Sequence, residues 1–107
     1  MTTIRTIDYA RAVEALKALA EQKRLRILAT LSAGERCACE LTGCCESSQP
    51  LLSFHLRTLR EAGLVESRRD GRWIHYRVDR EALRTLADAL VAIADGDVEE
   101  PMPGCCE

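Results

Sequence analysis

Ser47-Ser48-Gln49-Pro50-Leu51-Leu52-Ser53-Phe54-His55-Leu56-Arg57-Thr58-Leu59-Arg60-Glu61-Ala62-Gly63 reads as one helix with both of its ends marked. Ser47 or Ser48 supplies a hydroxyl to cap the first free N–H groups. Pro50 falls in the first turn, where its missing N–H removes no helical bond. Leu52, Leu56 and Leu59 recur at helical spacing and define an inner face, and Gly63 ends the run.

Downstream the period changes from helical to alternating. Val65 to Arg69 and Arg72 to Val78 read as two strands, joined at Asp70-Gly71, a strong signal for a tight hairpin. Arg80 to Ala94 is helical again through Leu83, Leu86, Leu90 and Ile93. Upstream, a short helix from about Ala38 to Cys45 buries Leu41. Leu25, Leu28 and Leu31 mark another helix closed by Gly34, and Asp8 caps a first helix reaching about Ala20, with Val13, Leu16 and Leu19 on one side. The expected fold is mainly α with a two-stranded β wing, a winged helix-turn-helix. Residues 1–94 form that domain. Residues 95–107 form an acidic tail punctuated by Gly96, Pro101, Pro103 and Gly104 and carrying two cysteines.

The composition agrees with one domain. At 107 residues, 47% of them hydrophobic and 30% charged, the chain buries roughly two-thirds of its unfolded surface. Residues 1–10 hold Arg5 and Asp8 and no apolar core of a leader, and no apolar run approaches the ~20 residues of a membrane span. A cytoplasmic protein without a membrane partner is expected. The six cysteines fall in close doublets, Cys37/Cys39, Cys44/Cys45 and Cys105/Cys106. Cytosolic thiols are kept reduced and neighbouring cysteines make poor disulfides, so these pairs suit a thiophilic ion better than a disulfide framework.

The formal net charge of −2 conceals a gradient. Residues 51–80 hold seven arginines against Glu61, Glu66, Asp70 and Asp79, whereas residues 81–107 hold only Arg84 against seven acids. Local field steers a polyanion, so the middle of the chain is the candidate nucleic-acid face.

Several ordered motifs then carry a resemblance. Glu35 to Leu41, Ser48-Gln49-Pro50, His55-Leu56, Leu59-Arg60-Glu61-Ala62-Gly63-Leu64-Val65 and Gly71-Arg72-Trp73-Ile74-His75-Tyr76-Arg77 resemble the arsenic-responsive (ArsR/SmtB-type) winged-helix repressors over about Tyr9 to Ala94. The resemblance implies a homodimer built through the first and last helices, which represses an operon until a toxic metal or metalloid binds. A polar-faced recognition helix fits a major groove while a basic hairpin lies over the adjacent backbone. Ser48, Gln49, Ser53, His55 and Arg57 are expected to project from that helix toward double-stranded operator DNA. Arg68, Arg69 and Arg72 on the wing are expected at phosphates. Leu51 and Phe54 depart from the more polar residues usual in the family.

The resemblance also implies a site for As(III) or Sb(III) as inducer. Cys37 and Cys39 match the first two thiolates of the family's site, and Thr42 stands where the third cysteine would be. On a regular helix residues two apart point to different sides, so the pair chelates only if the helix start bends. A third sulfur, or a second dithiol site, is available from Cys105 and Cys106. Cys44 and Cys45 are the weaker candidates and read equally as small buried hydrophobes. Trp73 and Tyr76 are expected to pack the wing on the core, and His75 to be structural. The alternatives are a zinc- or cadmium-responsive repressor and a thiol-redox or persulfide-responsive one; the resemblance disfavours zinc because Arg80 to Ala94 lacks the His of the family's zinc variants, and cadmium because no cysteine precedes Cys37. A thiol enzyme would need a Cys-x-x-Cys or anion-binding loop at a helix start; neither appears.

Overall fold

A computed structural model describes residues 6–45 and 48–98, except the side chains of Cys44 and Cys45. Its elements run α1 (Tyr9–Leu19), α2 (Gln22–Leu31), β1 (Arg36–Cys37), α3 (Ala38–Cys45), α4 (Gln49–Glu61), β2 (Val65–Asp70), β3 (Trp73–Val78) and α5 (Arg80–Asp95). Side chains start the helices where backbone N–H groups lack partners. Asp8 accepts from Arg11 N, Ser48 from Leu51 N and Asp79 from Ala82 N, and Glu21 does the same for α2. Ser48, not Ser47, is therefore the α4 cap; Ser47 lies outside the described residues.

The end of α4 is fixed as firmly. Gly63 takes a φ of 81°, its N–H reaching Arg60 O at 3.0 Å while Leu64 N reaches Leu59 O at 3.0 Å. That pair of bonds closes a Schellman turn, which a side chain at position 63 would strain. The turn also buries Leu64 with Leu59. Ile27, Leu31, Leu41, Leu52, Leu56 and Val65 complete a core drawn from α2, α3, α4 and the base of the sheet.

Two expectations are corrected here. The wing has three strands, not two, in the order β1-β3-β2, all antiparallel. A two-residue strand has no period to read; β1 exists because Arg36 and Cys37 pair with Tyr76 and His75 across 38 or more positions of sequence. Gly34 does not cap α2, which ends at Leu31 with Ser32 as its cap. No helix among the described residues is long and apolar enough to cross a membrane.

Candidate functional site

Cys37 ends β1 and Cys39 is the second residue of α3. Because Cys37 is not helical, the divergence expected of two helical positions does not arise. The Cα atoms lie 5.4 Å apart, a separation that a disulfide spans, and the two sulfurs face each other. Cys37 is buried at 8% exposure whereas Cys39 faces solvent, so an incoming reagent meets Cys39 first. The junction is held by its own neighbours. Glu40 Oε1 accepts from Cys37 N at 2.9 Å, one half of a capping box, and Thr42 Oγ1 donates to Cys39 O at 2.9 Å. Thr42 thus serves the backbone and is no substitute for a third sulfur.

No group of three His, Cys, Asp or Glu among the described residues is placed to hold a metal ion. Of the other candidate donors, Cys105 and Cys106 lie outside the described residues, as do the side chains of Cys44 and Cys45.

The same junction is tied to the wing. Cys37 stands opposite His75, and His75 stands opposite Arg68, so these three form one row across one face of the sheet. Glu35, two residues before Cys37, closes the row by accepting from Arg68 Nη2 at 2.6 Å and Nε at 3.2 Å. That fork of hydrogen bonds holds the Glu35 carboxyl below its usual pKa of 4.5. Sequence reasoning missed this pair because 33 positions separate its members.

On α4, Ser48, Gln49, Ser53 and Arg57 are exposed as expected, alongside Leu51 and Phe54. His55 is not. It is 4% exposed, and its Nδ1 lies 3.0 Å from Arg24 Nη1, which removes it from the outward face. The spacing explains the correction: Leu52, His55, Leu56 and Leu59 are one stripe at i, i+3, i+4 and i+7, a signal present in the sequence.

The wing divides its cations. Arg68 is held by Glu35 and Arg77 by Glu66, at 2.7 Å. Arg69 makes only a 3.4 Å bond to Gly71 O, and Arg72 sits exposed in the turn. Among the described residues of the wing, Arg69 and Arg72 form no ion pair, whereas Arg68 is held by Glu35. Tyr76 packs against the core as expected, but Trp73 is 53% exposed at the hairpin tip. Residues 76 and 78 share one face of β3 and residue 73 lies on the other, so strand alternation turns the indole outward.

Two apolar faces also stand uncovered in the single chain. Tyr9, Val13 and Leu16 of α1 and Leu90, Val91 and Ile93 of α5 are each at least 40% exposed. The helical spacing read from Val13, Leu16, Leu90 and Ile93 was correct, but these residues do not enter the core of one chain.

The profile described as "Bacterial regulatory protein, arsR family" matches residues 21–67. The Arsenic resistance transcriptional regulator ArsR1 of Pseudomonas putida is 40% identical over 84 residues, which cover 78% of this chain and 66% of that protein. The chain thus spans just under two thirds of that relative. The Arsenical resistance operon repressor of Staphylococcus aureus is 39% identical over 84 residues, covering 78% of this chain and 81% of the relative. Among solved structures, the homodimeric winged helix-turn-helix DNA-binding domain Mb0332 from Mycobacterium bovis superposes with a TM-score of 0.68. It has 30% identity and covers 82% of each chain.

Proposed function

This chain belongs to the arsR family of bacterial regulatory proteins, and from that membership we propose that it is a homodimeric repressor of operator DNA, released when As(III) or Sb(III) binds cysteine thiolates. Fold and family are those of DNA-binding regulators rather than enzymes. The observation that carries the sensing part is the position of Cys37 and Cys39 at the β1–α3 junction. One side of that junction pairs with β3 of the wing, and the other leads through α3 to α4. A ligand that redraws the Cys37–Cys39 geometry therefore strains both DNA-facing elements.

In the proposed cycle the dimer forms through α1 and α5, whose uncovered apolar faces favour a partner. It presents two α4 helices to half-sites about 34–36 Å apart or a multiple of that. Ser48, Gln49, Ser53 and Arg57 meet base edges and backbone, while Arg69 and Arg72 neutralise phosphate. As(III) takes the reduced Cys37 and Cys39 sulfurs, with Cys105 or Cys106 assigned as third donor and Cys44 or Cys45 as the weaker alternative. An allosteric coupling of about 1–3 kcal/mol weakens DNA binding roughly 5- to 150-fold.

One observation favours a second reading. The Cys37 and Cys39 sulfurs stand close enough to pair, which fits a thiol-oxidation response, in which two thiols give up two electrons and two protons to a peroxide that leaves as water. Fluorescence anisotropy on upstream promoter DNA separates the readings. The reduced protein is titrated with arsenite, methylarsenite, antimonite, Zn(II), Cd(II) and peroxide. Release by trivalent arsenic at stoichiometric amounts, with zinc inert, supports the arsenic reading. Release by peroxide with arsenite inert supports the second. Release by zinc or cadmium alone overturns both.

A further inference from the structure

His55 is the one buried polar side chain in the core of the described residues, and the DNA-facing surface does not use it. A guanidinium only donates, so the 3.0 Å contact with Arg24 Nη1 requires a bare Nδ1 lone pair and places the ring proton on Nε2. The same guanidinium donates from Nε to the carbonyl of Ala18, at 2.6 Å, in the last turns of α1. One cation thus fastens α4 to α1 from its seat on α2. The helix that faces DNA and the helix offered to a partner subunit share a single polar clamp.

We propose that His55 is a positioning residue for DNA binding, whose uncharged imidazole docks α4 on Arg24 and whose protonation in mild acid unfastens it. This rests on the DNA-binding reading above. A proton on Nδ1 would set donor against donor and charge against charge, and the Arg24 bond would be lost. Burial first, and then the Arg24 charge, push the His55 pKa below its usual 6.5; Lys23 adds to this and Glu21 opposes it. Glu21, Lys23 and Arg24, all at the start of α2, are the charged groups acting on the ring. Glu21 accepts the Lys23 N–H at 2.7 Å, which keeps its own pKa under 4.5. His55 is the member of this set whose protonation removes the acceptor of the Arg24 bond.

The sign follows from which state takes the proton first. Above pH 6.5 the ring is neutral both folded and unfolded. As pH falls below 6.5 the unfolded chain is protonated before the folded one, so stability is lost down through the lower folded pKa.

The test compares wild type, H55N and H55L by anisotropy on promoter DNA between pH 5.5 and 8 at fixed salt, with NMR titration of the imidazole. The Asn carbonyl can accept the Arg24 N–H and does not titrate. Wild type is expected to bind evenly above pH 7 and progressively more weakly as the pH falls below 6.5, by roughly 10- to 150-fold once the ring is protonated, the size of one lost charge-assisted hydrogen bond. H55N should stay tight and flat, and H55L weak throughout. H55N carries the test if H55L does not fold. Acid loss shared equally by wild type and H55N, or an imidazole titrating at or above 6.5, overturns the His55 assignment alone. Absence of DNA binding at every pH overturns it together with the reading beneath it.

Discussion

Helix α4 and the β1–α3 junction sit next to each other in the chain and are built by opposite means. The shape of α4 is set locally, by the Ser48 cap, the leucine stripe and the Schellman turn at Gly63, and the His55–Arg24 contact that docks it is its long-range tie. The junction is assembled from distant partners, Arg36 and Cys37 against Tyr76 and His75, and Glu35 against Arg68. A locally determined element keeps its shape when its surroundings shift. An element held by long-range pairs changes when one pair changes, as a sensor requires. On the proposed reading, the difference leaves rigidity to α4 and responsiveness to the cysteines.

The largest effect should come from attacking α4 in its core. Leu56→Ala is expected to cost about 2–5 kcal/mol, because Leu56 is 2% exposed and its loss leaves a cavity. Urea unfolding followed by circular dichroism measures it, and a change below 1 kcal/mol would deny α4 its anchoring role. Ser48→Ala removes the cap and should cost about 1 kcal/mol. Its inducer response should stay normal, since the cap does not touch the junction. A loss of response with little loss of stability would break the contrast between the two regions.

The wing sharpens the same comparison. Arg72→Ala should weaken binding evenly across DNA sequences and lower the salt-dependence slope by about one, as for a phosphate contact. Arg68→Ala should change that slope less, because Glu35 already holds its guanidinium. Equal slopes for the two variants would contradict the division of cations drawn here. The smallest effect is expected from Glu35→Ala, which unties the junction from β2 and frees Arg68. DNA affinity should rise by about threefold at most, as for an exposed ion pair, while the inducer-driven loss becomes smaller. The Glu35 carboxyl is held below 4.5, so the tie is complete above that value and fails as pH falls through the depressed folded pKa. Its contribution should be constant between pH 5.5 and 8, which keeps it apart from the acid response assigned to His55.

What could be read from the sequence follows the same local and distant split. The caps at Asp8 and Ser48, the leucine spacing of α4 and the Asp70-Gly71 hairpin were legible because each lies within a few residues of what it determines. Strand β1 was not, since two residues carry no period. Without β1, Cys37 is referred to the helix that starts beside it, and the pair is expected to chelate only if that helix start bends. His55 was legible but misread: its i+3 relation to Leu52 placed it inside, while its polarity argued for outside. Arg24, which reconciles the two, is 31 positions away. Trp73 failed the other way, because an aromatic was expected to pack and the strand face, not the residue type, decided its exposure.

The central claim is that Cys37 and Cys39 together convert a thiophilic ligand into loss of DNA. Its most direct test is arsenite titration of promoter-bound, reduced Cys37→Ser/Cys39→Ser against wild type, read by fluorescence anisotropy. The variant should bind DNA as wild type does and remain bound at arsenite concentrations that weaken wild-type binding roughly 5- to 150-fold. Dissociation of the double variant at the same arsenite concentrations would contradict the claim and move the sensing site to other residues.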